Sequence, residues 1–115
     1  MIKSLSLLTR KTGFTHEQFI KHWVEVHAPL DHAVPGLRRY VQSHIVEERT
    51  RPDIPATDLA IDGIAELWYD DREAMARALA SPEAKALHAD GALFIGRIKT
   101  YTINEKVIVP GPTRS

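Results

Sequence analysis

The 115-residue sequence contains no cysteine, which excludes disulfides, thiolate metal sites and a cysteine nucleophile together. It has no excess charge of either sign: 15 Lys+Arg stand against 15 Asp+Glu. The basic surplus that nucleic acid or an anionic membrane would demand is missing, and neither partner is expected. No window approaches the roughly 18 apolar residues of a membrane-crossing helix. The opening run MIKSLSLLTRKTG has a lysine inside its short apolar stretch and no small-residue cleavage site. These features predict a soluble, cytoplasmic protein. Also missing are GxGxxG and P-loop phosphate cradles, a Gly-x-Ser-x-Gly elbow, HExxH and an EF-hand loop. No metal or cofactor is therefore expected.

What is present reads as one globular domain, since 43% hydrophobic and 26% charged residues lie near the globular average. The boundaries are 1–109 for the domain and 110–115 for a flexible tail. Residues 2–9 alternate in part and predict a strand. Thr15 and Gln18 form a capping box, and Phe19, Trp23, Val26 and Leu30 mark the buried stripe of the helix that follows. That helix is expected to weaken at Ala28, because the residue before a proline disfavours helical geometry. Residues 37–47 and 61–69 predict the second and third strands, joined by the polar stretch 48–58. Asp70-Asp71 cap a helix over 72–80. Ser81 caps another over 83–95, with Pro82 at its start and Gly91 interrupting it. Residues 97–109 predict the last strand.

Strand, helix, strand, strand, helix, strand is the ferredoxin-like βαββαβ order, an α+β fold with one antiparallel sheet and both helices on one face. The other face carries apolar and aromatic groups that a lone domain would leave wet. Pairing through the sheet faces would bury them, so a homodimer is expected.

The segment His22–Pro29 is the most informative. His27 lies four residues after Trp23, on the buried side of the first helix. Burial and the helix end act on its ring in opposite directions, which suits a proton-transfer group near neutral pH. A core histidine bonded to backbone or to Asp31 is the competing reading. Tyr40, Gln42 and His44 share one strand face and form either a ligand-binding row or a solvated one. Glu66 and Trp68 share a face of the third strand, where Glu66 either faces a ligand or pairs with Arg38 or Arg39. Phe94 sits among small residues as core, with a candidate place at the pocket. His22, His27 and His32 are each five apart, about 140° around an α-helix, so they are not expected to converge on an ion. His88 and Asp90 read as isolated.

The string Phe19-x-x-x-Trp23-x-x-x-His27-Ala28-Pro29-Leu30, followed by Pro35-Gly36-Leu37-Arg38-Arg39-Tyr40, resembles the EthD family. Asp62–Tyr69 and Ser81-Pro82-Glu83 are similar to later parts of the same pattern. The resemblance implies a dimeric α/β-barrel superfamily whose members serve the breakdown of ethers and aromatic-derived compounds. One related branch isomerises methyl-substituted muconolactones without metal or organic cofactor. It also implies pocket roles for His27 as acid/base and Tyr40 as hydrogen-bond donor, both catalytic. Placement on the strands and helices, not the resemblance, offers Trp23, Gln42, His44, Glu66, Trp68 and Phe94 as substrate-binding candidates.

Three functional readings follow. The first is a cofactor-free isomerase or oxidoreductase-type enzyme acting on a small, mostly apolar molecule in a pocket between sheet and helices. The second is a non-catalytic binding or accessory protein of an oxygenase pathway. The third is haem binding through His27, which the low aromatic content of 7% disfavours.

Overall fold

The computed structural model describes residues 1–112. Strand β1 (Ile2–Arg10) leads to helix α1 (His16–His22), a π-helical turn (Trp23–His27) and helix α2 (Ala28–His32). Strands β2 (Arg39–His44) and β3 (Gly63–Tyr69) follow, then α3 (Arg72–Leu79), α4 (Pro82–Phe94) and β4 (Ile95–Ile103). The strands form one antiparallel sheet in the order β2-β3-β1-β4, and the helices cover one face. This is the ferredoxin-like arrangement predicted from the element order. Among the described residues, no helix is long and apolar enough to cross a membrane.

Register decides which side chains meet the helices. Leu8 pairs with Gly63, Ser6 with Ala65, Ser4 with Leu67 and Ile2 with Tyr69. Side chains alternate between faces along a strand, so these positions share the helix-facing side. There Leu8 and Ala65 pack with Phe19, Trp23 and Phe94, while Tyr69 packs with Val34, Ala78 and Leu87. The opposite parity places Lys3, Leu5, Leu7, Ile64, Glu66 and Trp68 on the outer face.

Trp23 occupies its place because β3 offers no side chain beneath it. A Cβ on Gly63 would lie 2.8 Å from Trp23 Cη2 and closer still to Cζ3. Gly63→Ala is expected to destabilise the fold by about 1–3 kcal/mol through overpacking. Urea titration of the two proteins measures this directly; an unchanged midpoint would mean that the indole moves aside freely.

The first helical segment departs from the expected stripe. Its capping box is present, with Thr15 Oγ1 accepting from Gln18 N–H and Gln18 accepting from Thr15 N–H. At Trp23–His27, however, the turn widens, and the Ala28 N–H donates to the Trp23 carbonyl five residues back. The buried positions become Phe19, Trp23, His27 and Asp31, and Val26 turns outward with 48% exposure. Nor does the chain leave the helix at Ala28, whose φ of −56° and ψ of −41° are helical. A proline ring crowds the carbonyl four residues earlier and supplies no N–H, and a locally wider turn relieves that crowding.

The remaining differences lie at element ends. β2 and β4 are shorter than expected. Asp71 rather than Asp70 caps α3, accepting from Ala74 N–H, while Asp70 pairs with Arg38. Ser81 and Pro82 open α4 as expected, and the helix runs through Gly91 without interruption. Of the expected tail, residues 110–112 are exposed and without regular structure, and 113–115 lie outside the described residues.

Candidate active site

A cavity of about 420 Å³ lies between the helix-facing side of the sheet and the helices. Trp23, His27, Asp31 and Tyr40 line it from one side. Ser4, Ser6 and Thr100 form a floor of hydroxyls on the central and edge strands, with Ser6 Oγ and Thr100 Oγ1 hydrogen-bonded at 2.8 Å.

His27 is buried, and its Nδ1 lies 2.8 Å from Asp90 Oδ2 on α4. An ionised carboxylate can only accept, so Nδ1 carries the hydrogen and Nε2 presents its lone pair. Nε2 faces Asp31 Oδ2 at 3.9 Å. Burial lowers the His27 pKa below the usual imidazole value, and the Asp90 hydrogen bond opposes this only in part. The ring is thus neutral and basic at physiological pH. Burial pushes Asp31 the other way, up to about 7, opposed by a hydrogen bond with Tyr40. Asp31 Oδ2 has no hydrogen-bond partner among the described residues. Burial first, then the nearby Asp31 charge, raises the Tyr40 pKa and keeps its phenol protonated. A neutral base, a carboxyl group that titrates near neutrality and a phenol donor therefore meet in one cavity, as acid–base catalysis requires.

The Tyr40 face of β2 forms the connected row expected from its spacing. Gln42 Nε2 donates to Tyr40 Oη at 2.9 Å and to the Trp23 carbonyl at 3.1 Å, and His44 Nε2 bonds Gln42 Oε1 at 2.9 Å. Gln42 and His44 thus position Tyr40 rather than lining the cavity. Phe94 is wholly buried, with its ring centroid 4.5 Å from that of His22 and 5.1 Å from that of His27. It wedges the imidazoles from behind and is not part of the cavity wall.

Glu66 and Trp68 correct the expected site. Both lie on the outer face, with the sheet between them and the cavity, because Ala65 and Leu67 take the helix-facing positions of β3. Glu66 does pair with a cation, but with Lys3 at 2.6 Å rather than with Arg38 or Arg39. Trp68 Nε1 donates to Glu105 at 2.8 Å, and the Arg39 guanidinium stacks 5.0 Å over its ring.

The histidine spacing also needs correction. His22 and His27 do converge, on the two oxygens of Asp90, with His22 Nε2 3.1 Å from Oδ1. Five residues make little more than one turn of the widened helix, so the 140° separation of an α-helix does not apply. Asp90 is therefore not isolated but is the hub of the site. Its role carries no local signal, because its partners are more than 60 residues away in sequence. Asp31 had a signal: its i+4 spacing from His27. The Ser4-x-Ser6-x-Leu8 alternation in β1 similarly marks the hydroxyl floor.

Among the described residues, no group of three or more His, Cys, Asp or Glu side chains could hold a metal ion. A haem does not fit His27. The nitrogen that iron would need faces Asp31 at 3.9 Å, so the porphyrin plane would collide with that carboxyl group.

Comparison with known proteins gives concordant results. Residues 11–98 match the family model described as the EthD domain. The chain is 33% identical over 108 residues to a 4-carboxymethyl-4-methylbutenolide mutase of Pseudomonas reinekei, covering 93% of this chain and all of that one. An ethyl tert-butyl ether D (EthD) family protein of Bacillus halodurans superposes with a TM-score of 0.74 at 27% identity, covering 92% of this chain and 99% of that chain. A protein of Thermobifida fusca described as dimeric and ferredoxin-like superposes with a TM-score of 0.64 at 15% identity, covering 89% and 88%.

Proposed function

Since the chain belongs to the EthD family, we propose that it isomerises a small unsaturated lactone by proton transfer within the His27 cavity. The observation that carries this reading is the neutral His27 imidazole, held by Asp90 at 2.8 Å and facing Asp31 at 3.9 Å at the buried end of a largely apolar cavity. Nε2 takes a proton from the carbon next to the ring C–O carbon. The electron pair of the C–H bond becomes a new C=C bond as the ring C–O bond breaks, and the departing oxygen remains as a carboxylate. Asp31 and Tyr40 donate hydrogen bonds to that carboxylate. The carboxylate at the other end of the resulting diene then closes on a different alkene carbon, and the imidazolium returns the proton to the adjacent carbon. No atom is gained or lost, and each step is a transfer between named groups.

The test is incubation with 4-carboxymethyl-4-methylbutenolide, followed by proton NMR and mass measurement. An isomer of unchanged mass is expected, carrying one deuterium when the reaction runs in D₂O. The acid role requires protonated Asp31, a form lost as pH rises through about 7. The base role requires neutral His27, a form lost only below its lowered pKa. Turnover is therefore highest on the mildly acidic side and falls above pH 7, and Asp31→Asn removes that alkaline fall. Absence of both the isomer and deuterium uptake would refute the reading. Thermal stabilisation by the lactone without conversion would instead mark a binding protein.

The same reading includes a homodimer joined through the outer face of the sheet. Leu5, Leu7, Ile64 and Trp68 on that face support it, as does the dimeric description of the Thermobifida fusca protein. Sedimentation at micromolar concentration should give twice the chain mass of 12.9 kDa. Leu7→Glu, which places a charge opposite Ile64 and beside Lys99, should shift the protein toward monomer. A wild-type protein that sediments as a folded monomer would end the proposal.

A further inference from the structure

Polar groups are distributed unevenly along the depth of the cavity. His27 and Asp31 are buried at its inner end, whereas Leu79, His88, Ala92 and Ile98 are exposed at its outer end. On α4, the cavity-lining positions Ala84, Leu87, His88 and Gly91 follow the i, i+3, i+4, i+7 stripe, and His88 is its polar member. No lysine or arginine lines the cavity among the described residues. His27 Nδ1 is engaged by Asp90, and Asp31 brings acidic oxygens to the inner end.

The donors of that inner end, Asp31 and Tyr40, are taken by the carboxylate that leaves the ring, so a second carboxylate brought there would lose its water and meet no cation, which is costly. At the outer end it keeps solvent on one side and meets the His88 ring nitrogens. His88 precedes by three residues Gly91, where a Cβ would lie 3.7 Å from His27 Cε1, so one small molecule can span the two.

We propose that the cavity takes an anionic lactone in one orientation, ring inward at His27 and carboxylate outward at His88, making His88 a specificity-determining residue. This rests on the lactone reading above and adds the charge state and pose of the substrate. An uncharged lactone of the same shape would enter the apolar interior equally well but gain nothing at the mouth.

Calorimetric titration with 4-carboxymethyl-4-methylbutenolide and with its methyl ester tests the pose independently of turnover. Wild-type protein is expected to bind the acid more tightly than the ester. His88→Ala should lower the acid-to-ester affinity ratio roughly five-fold, in the range of a single polar contact to a carboxylate at a solvated rim. His88→Lys should restore the preference, because its ammonium offers a hydrogen-bond donor and a positive charge to the carboxylate at the same position. Equal affinity for acid and ester in the wild type, or a ratio unchanged in His88→Ala, overturns the proposal. The expected ratio without any turnover would defeat the isomerase reading and leave the binding pose standing. Turnover with an unchanged ratio would do the reverse. Failure of the wild type to bind either compound overturns both.

Discussion

His27→Ala is expected to reduce lactone turnover on the order of 10²–10⁴-fold, the usual contribution of a positioned general base. The loss should fall on kcat, since a base stabilises the transition state and adds little to ground-state binding. Asp90→Asn should lose much of the same factor. Its carboxylate both orients the ring through Nδ1 and stabilises the imidazolium that forms when Nε2 takes a proton. His22→Ala separates the two effects. His22 shares Asp90 but does not line the cavity, so its removal should disturb turnover far less than either change. Steady-state kinetics on the three variants decides the matter. Turnover of His27→Ala within a few-fold of wild type would remove the base from the mechanism.

Phe94→Ala should lower stability by about 3–5 kcal/mol, the range for deleting a buried aromatic ring. Phe94 is wholly buried where α4 ends, and it touches Phe19 as well as both imidazoles that hold Asp90. Chemical denaturation followed by the Trp23 and Trp68 fluorescence measures the loss. Phe94→Leu should recover a substantial part, because it refills most of the volume. A fall of less than 1 kcal/mol for the alanine variant would show that the helix end collapses onto the gap. In that case the ring is not the wedge that fixes His27.

The order of the elements was legible because each depends on local chemistry. The Thr15–Gln18 capping box, the Ser81-Pro82 start and the alternation in β1 each act over a few residues. His27 and Tyr40 were legible as candidates because periodicity puts them on inward-facing positions and the family resemblance singles them out, and both line the cavity. Glu66 and Trp68 were not, because alternation divides a strand into two faces without saying which one the helices cover. The missing cue was size: Gly63 and Ala65 are the small side chains that a face opposite Trp23 requires. Asp90 was hidden for a different reason. Its contacts are tertiary, and they depend on the wide turn that no α-helical projection contains.

The π-helical turn also means that the chemistry depends on a residue count. Winding Trp23–His27 at ordinary pitch with every residue kept would swing everything beyond it through about 100° about the helix axis, the angle of one residue. The imidazole would lose its carboxylate anchor, and the acid four places on would rotate away with the helix. Variants of unchanged length that straighten this turn, even those that keep every named side chain, would therefore fold much the same sheet around a cavity without the His27–Asp90 pair.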